Sequence, residues 1–172
     1  AAEKLGLSIN YATDFDLDSN SHLLDKTKSI VLGGHSEYWT TKMREAVDKA
    51  VDHGVNLIVL GGNTAYNRID IQGNEITNIK TWRDLGRPEV TLLGSQYLTL
   101  GFKRDMVIET NLWPFDILPK GAVIKGVVGY EADTPITFNG PPVETIARSS
   151  ILPNEKSVPA MATSSSRSPP RS

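Results

Sequence analysis

Cysteine is absent from the 172 residues. That absence removes disulfides, zinc–thiolate sites and a thiol nucleophile together. An excess of one charge sign is missing too: 18 basic side chains face 20 acidic ones, a formal net charge of −2. With no basic field to neutralise phosphates, nucleic acid is excluded as a partner class. No apolar run reaches the roughly 18 residues that mark a membrane-spanning helix. Neither a P-loop pattern nor G-x-G-x-x-G occurs, so a nucleotide cradle has no support. Ser36 is not in a nucleophile elbow, because Tyr38 stands where G-x-S-x-G needs its last glycine. No signal peptide opens the chain, which starts Ala1-Ala2-Glu3. A soluble protein, cytoplasmic rather than secreted, is the expectation.

The length fits one domain. That domain is expected over residues 1–152. The Ser/Pro/Arg-rich stretch over 153–172 is low in complexity and is expected to be disordered. Within the domain, Ala1 to Leu5 reads as a helix end stopped by Gly6, and Leu7 to Tyr11 alternates like a short strand. Residues 13–18 read as a polar loop and Ser19 to Leu24 as one or two helical turns. Ser29 to Leu32 is a strand ended by Gly33-Gly34. From Thr41 to His53, Met43, Ala46, Val47, Ala50 and Val51 repeat at helical spacing, with Thr40 as N-cap and Gly54 as stop. Val55 to Leu60 is an apolar run before Gly61-Gly62, which suits a buried parallel strand. Ile30 to Leu60 thus forms a β-α-β unit. Ile69 to Ile71 and Ile76 to Ile79 flank Gly73-Asn74 as a hairpin. Strands are also expected at Val90 to Leu93, Lys103 to Glu109, Ala122 to Val128 and, as an edge, Val143 to Ala147. Trp113 to Gly121 reads as loop.

In an open parallel α/β sheet, ligands bind beyond the carboxyl ends of the strands. Three segments leave strands there: residues 33–39, 61–66 and 129–133. Each opens with glycine and carries polar or aromatic groups. Tyr38 and Tyr66 follow the two parallel strands, so two phenols can face one crevice, with Glu131 as a third corner. Phenolate and carboxylate oxygens suit a hard, highly charged cation such as ferric iron. The plainer reading is a tyrosine packed at the core rim with its hydroxyl in water. His35-Ser36-Glu37 has the H-x-E spacing of zinc deaminases, but those need cysteine ligands. His35 then reads as a loop histidine with its hydrogen bonds met, or as a base beside a metal. His22 and His53 are isolated. Trp39, Trp82 and Trp113 read as core or rim, and Arg83, Arg87, Lys103 and Arg104 as solvated surface.

Four ordered segments carry a further signal: Tyr11–Leu17, Gly34–Thr40, Asn56-Leu57 with Gly62–Arg68, and Val128–Asp133. In this order they resemble the large, catalytic-subunit domain of the N,N-dimethylformamidase family, over roughly Ala2 to Ser150. The resemblance implies an α/β three-layer sandwich with a mostly parallel sheet, flavodoxin-like and class I glutamine amidotransferase-like, with the hairpin inserted. It also implies an iron-dependent hydrolase of small linear amides that yields formate and a small amine. Mononuclear ferric iron would sit on Tyr38, Tyr66 and Glu131, with His35 and Glu37 as catalytic groups beside it. The implied partners are a small amide substrate and either further copies of the chain or a small subunit.

There are departures from the family pattern. Ser36 stands where the family has aspartate, and Asn67 where it has tryptophan. Gly129 stands where the amidase has a catalytic histidine, two places before the ligand glutamate. Relatives also extend further at both ends. The alternative is therefore a binding or structural domain of the same family, inactive as a truncated fragment. A cysteine-type glutamine amidotransferase is excluded by composition.

Overall fold

The computed structural model describes residues 2–100, 104–129, 131–136 and 144–149. The tail over 153–172, the Pro141-Pro142 pair, Lys103 and Tyr130 lie outside the described residues.

Local chemistry decides the first elements. Gly6 adopts φ 75° and closes a short 3₁₀ turn over Glu3–Leu5. Leu7 to Tyr11 forms no strand, and Leu7, Ile9 and Tyr11 are exposed. The Thr13–Asp18 stretch, expected as loop, instead starts helix α1 (Asp14–Ser19). Its capping residues begin the helix: Thr13 Oγ1 accepts from the Asp16 N–H at 3.2 Å, and Asp16 Oδ2 accepts from the Thr13 N–H at 2.8 Å. Of Ser19 to Leu24, expected as one or two helical turns, Ser19 ends α1 and residues 21–24 are turns.

The β-α-β unit forms as its pattern dictates. Strand β1 (Ser29–Leu32) and strand β3 (Asn56–Val59) run parallel, with Ser29 opposite Asn56 and Leu32 opposite Val59. Between them come the short strand β2 (Tyr38–Trp39) and helix α2 (Thr41–Asp52). Thr40 caps α2 by accepting from the Met43 N–H at 3.2 Å, and its hydroxyl donates to Asp18 at 2.5 Å. A carboxylate thus lies at the positive end of the helix dipole. The buried face of α2 gives Met43 and Val47 to a core with Trp39, Ala65 and Trp82, against which Ile30, Leu32 and Leu57 pack. The hairpin also forms, as β4 (Asn67–Gln72) and β5 (Glu75–Thr81), with Gly73 at φ 60° in the turn. Its first strand pairs parallel with β2, joining hairpin and helical unit.

The expected three-layer sandwich does not form. Among the described residues the sheets are small, mixed or antiparallel, and the parallel β1–β3 pair stops at two strands. Strand β6 (Ser95–Leu100) pairs antiparallel with β9 (Glu131–Pro135). Strand β7 (Arg104–Ile108) lies between β8 (Val123–Val128) and β10 (Ala147–Ser149), antiparallel to both. The apolar run read as a further parallel strand is β8, and burial shows why. Its exposed and half-buried positions alternate, as in an antiparallel sheet covered on one face. The β1–β3 pair is likewise covered on one face only, leaving Val31 and Ile58 56% and 42% exposed. A flavodoxin-like sheet needs helices on both faces. Val90 to Leu93, expected as a strand, is instead a single helical turn, α3 (Val90–Leu93), ended by Gly94 at φ 69°.

Candidate functional site

The β1–β3 register builds the first wall. Because the strands are parallel, their following loops leave side by side. The Leu60 N–H donates to the Leu32 carbonyl at 2.9 Å, Ala65 to Ser36 at 2.8 Å, and Asn67 to Glu37 at 3.0 Å. The approach is closest at Gly61, where an added Cβ would lie 2.8 Å from the Gly34 carbonyl oxygen. Backbone atoms cannot rotate away, so Gly61→Ala is expected to force the loops apart and cost about 1–3 kcal/mol. A chemical unfolding curve measures this directly. An unchanged midpoint would show that the loops separate without cost.

Two non-glycine residues of the second loop hold left-handed backbone: Asn63 at φ 56° and Ala65 at φ 51°. Such strain concentrates where surrounding contacts fix a loop for a task. Here Asn63 is 4% exposed and bridges to the third segment. Its N–H donates to Asp133 Oδ1 at 2.8 Å, and its Nδ2 donates to Glu131 Oε1 at 3.2 Å. The three segments therefore meet, although β9, and not the end of a parallel strand, delivers the third.

At the meeting point His35 stands between two carboxylates. Its Nε2 is 3.2 Å from Glu37 Oε2, and its Nδ1 is 3.5 Å from Glu131 Oε2. One ligand atom from each of His35, Glu37 and Glu131 lies within 4.8 Å of the others. Glu37 is fixed from behind by Asn67, whose Nδ2 donates to Oε1 at 2.6 Å. The Tyr38 ring lies 6.3 Å from the His35 ring, tilted by 56°. The neighbouring Glu37 charge raises the Tyr38 pKa, helped by desolvation, a hydrogen bond to Glu37 and the charge of Glu131. The two carboxylates thus disfavour the phenolate, and a cation among them would oppose that effect.

Tyr66 is held differently. The Arg83 guanidinium lies 5.0 Å from its ring centre, and the Tyr97 ring meets it edge-on at 5.6 Å and 74°. Arg83 forks onto Glu89 at 3.0 and 2.7 Å and also donates to the Tyr97 carbonyl. Glu89 is fully buried. The expectation of a solvated surface thus fails for Arg83. It fails also for Arg104, which is buried, and in part for Arg87, which lies over Trp82 and pairs with Asp48 at 2.8 Å. Trp39 and Trp82 are core, and Trp113 is exposed.

Sequence reasoning gave no role of their own to Asn63, Asn67, Asp133 and Glu89. The one local signal was Asn63 after Gly61-Gly62, since asparagine tolerates left-handed backbone. Burial raises the Asp133 pKa, and the charges of Glu89 and Glu131 add to the rise, while the Asn63 N–H and Arg83 oppose it. A carboxyl group whose folded pKa is raised loses stability as pH rises from its unfolded value through its folded one. Asp133→Asn keeps the acceptor for Asn63 and removes the buried charge. It is expected to raise stability at pH 7, with the gain fading in acid. Urea denaturation at the two pH values checks this, and a loss at pH 7 would contradict it.

Comparison with known protein families bears on the chain as a whole. Residues 1–170 match the family model described as N,N-dimethylformamidase beta subunit-like, C-terminal. The chain belongs to that family. No curated protein matches it. Membership of the dimethylformamidase-like family relates the chain to an amide hydrolase, and the family's description is that of one subunit of a larger enzyme. Among the described residues, no helix is long and apolar enough to cross a membrane.

Proposed function

We propose that this chain is the large, catalytic part of a dimethylformamidase-like enzyme that hydrolyses small linear amides with a mononuclear, ferric iron held by Tyr38, Tyr66 and Glu131. The observation that carries the reading is the convergence of His35 and Glu37, from the loop after β1, with Glu131 of β9. The donor chemistry fits a hard cation. Two carboxylates and a phenol lie around one half-exposed histidine. Iron in that place supplies Lewis acidity toward the amide carbonyl.

The residues of the chain then do the proton work. His35 takes the proton of the attacking water on one ring nitrogen, and Glu37 stabilises the imidazolium through Nε2, 3.2 Å away. Asn67 prevents Glu37 from turning aside. The same His35 proton passes to the amide nitrogen as the C–N bond breaks, leaving a carboxylic acid and an amine, and the acid then passes its proton to the amine. Association with a smaller subunit or with further copies of the chain is part of this reading, and the family's beta-subunit description supports it.

One observation favours the second reading, a non-catalytic binding or structural domain: Gly129 stands where the amidase has its histidine. The space there is open, because a Cβ on Gly129 would meet nothing within 4 Å. The test is formate release from small linear amides by the iron-supplemented chain. Release that is lost in Glu131→Gln is expected. Equal release by Glu131→Gln would remove that residue from the site, and no release from any amide would favour the second reading.

A further inference from the structure

The hydrolytic reading leaves two paired polar residues without a role, and one of them, Arg83, lies against the proposed ligand Tyr66. Arg83 is three-quarters buried, and Glu89 beneath it is shielded from water almost completely. A buried ion pair is expensive to form, and replacing it by apolar side chains is often neutral or stabilising. Stability is therefore a weak reason for this pair, and its geometry suggests another.

The guanidinium is fixed in three directions. Nε and Nη2 fork onto the Glu89 carboxylate at 3.0 and 2.7 Å, and Nη2 also reaches the Tyr97 carbonyl. Its flat face is engaged as well, since the Tyr66 ring centre lies 5.0 Å from Arg83 Cζ. From another side the Tyr97 ring meets Tyr66 edge-on at 5.6 Å. The backbone closes the arrangement, since the Tyr66 carbonyl accepts from the Trp82 N–H at 3.0 Å, beside Arg83. A lysine in place of Arg83 would keep the charge but lose both the fork and the planar face.

We infer that Arg83 and Glu89 are positioning residues for Tyr66, with Glu89 aiming the guanidinium and the guanidinium fixing the ring whose phenol is offered to the metal. The inference rests on Tyr66 as a ligand, but the clamp exists without any metal and can be tested without one. Among the described residues no guanidinium lies over Tyr38, which is 39% exposed and stands beside carboxylates. The inference therefore expects Tyr66 to be the more fixed of the two phenols.

The test uses the full chain labelled with 3-fluorotyrosine, with the Tyr66 signal assigned by Tyr66→Phe. In the metal-free wild type, the Tyr66 fluorine signal is expected to be shifted and broadened relative to that of Tyr11, which is 78% exposed. Arg83→Lys and, separately, Glu89→Gln should each move the Tyr66 signal toward the Tyr11 position and leave the Tyr38 signal in place. A general loosening of the fold would move both. A wild-type Tyr66 signal already at the Tyr11 position would overturn the inference even if neither variant folds. So would a Tyr66 signal unmoved in folded variants. Iron added to the wild type then separates the two ideas. A Tyr66 signal that responds to both variants in a protein that takes up no iron leaves the clamp standing and removes the metal reading.

Discussion

Replacing Arg83 by alanine is expected to destabilise the folded chain by about 3 kcal/mol, near the lower end for breaking a buried ion pair. The figure sits low because the Arg83 side chain is 25% exposed, so water reaches part of the gap. The cost arises at Glu89, which is left charged and desolvated, and at Tyr66, which loses the surface it packs on. Arg87→Ala is the matched control. Arg87 pairs with Asp48 at 2.8 Å, but both side chains are about a third exposed. Such pairs contribute about 0–1 kcal/mol. Equal losses in the two variants by urea denaturation would show that burial of Glu89 does not set the cost.

The second large effect is expected at Trp39. This side chain is 1% exposed and belongs to the core with Met43, Val47, Ala65 and Trp82. Its indole N–H donates to Ser36 Oγ at 2.9 Å. Trp39→Ala should cost about 3–5 kcal/mol, from lost transfer free energy and the cavity left behind. Trp39→Phe should recover most of the packing and leave Ser36 without its donor. Because Trp39 and Tyr38 form the whole of β2, the alanine variant should also loosen Tyr38. A loss below about 1 kcal/mol, an amount typical of surface positions, would mean that the core collapses around the gap.

What was legible in the sequence was local. The β1-α2-β3 unit rests on periodicity over residues 29–59, and the Thr40 cap and the hairpin on turn chemistry within about a dozen residues each. The loops after β1 and β3 were legible as a pair for the same reason: a short crossover makes the strands parallel and their ends neighbours. Strand direction elsewhere was not legible. The run over 123–128 is apolar enough for either kind of sheet, and its antiparallel partner β7 is set by tertiary pairing. The resemblance to a flavodoxin-like architecture carried that error further, by supplying a parallel sheet that the described residues do not build. Val90 to Leu93 misled because four apolar residues fit a strand as well as a helical turn.

The same divide runs through the site. His35, Glu37 and Tyr38 sit in one short segment and were read together. Asn63 and Asp133 escaped notice because their contact joins residues 70 apart. Arg83 and Glu89 escaped because a charged residue in a polar connection is ordinarily solvated, and only packing shows the exception. Family membership supports the amide-hydrolase relation, while the ligand set and the iron rest on the proposal argued above.

The central claim is that phenol and carboxylate oxygens of this chain hold iron. The most direct measurement is the iron content and visible absorption spectrum of the full chain purified from iron-supplemented cells, beside Tyr38→Phe. The account predicts about one iron per chain with a phenolate-to-iron charge-transfer band, and loss of that band in the variant with the fold intact. A folded wild-type chain without iron would contradict it, as would a band that Tyr38→Phe leaves unchanged.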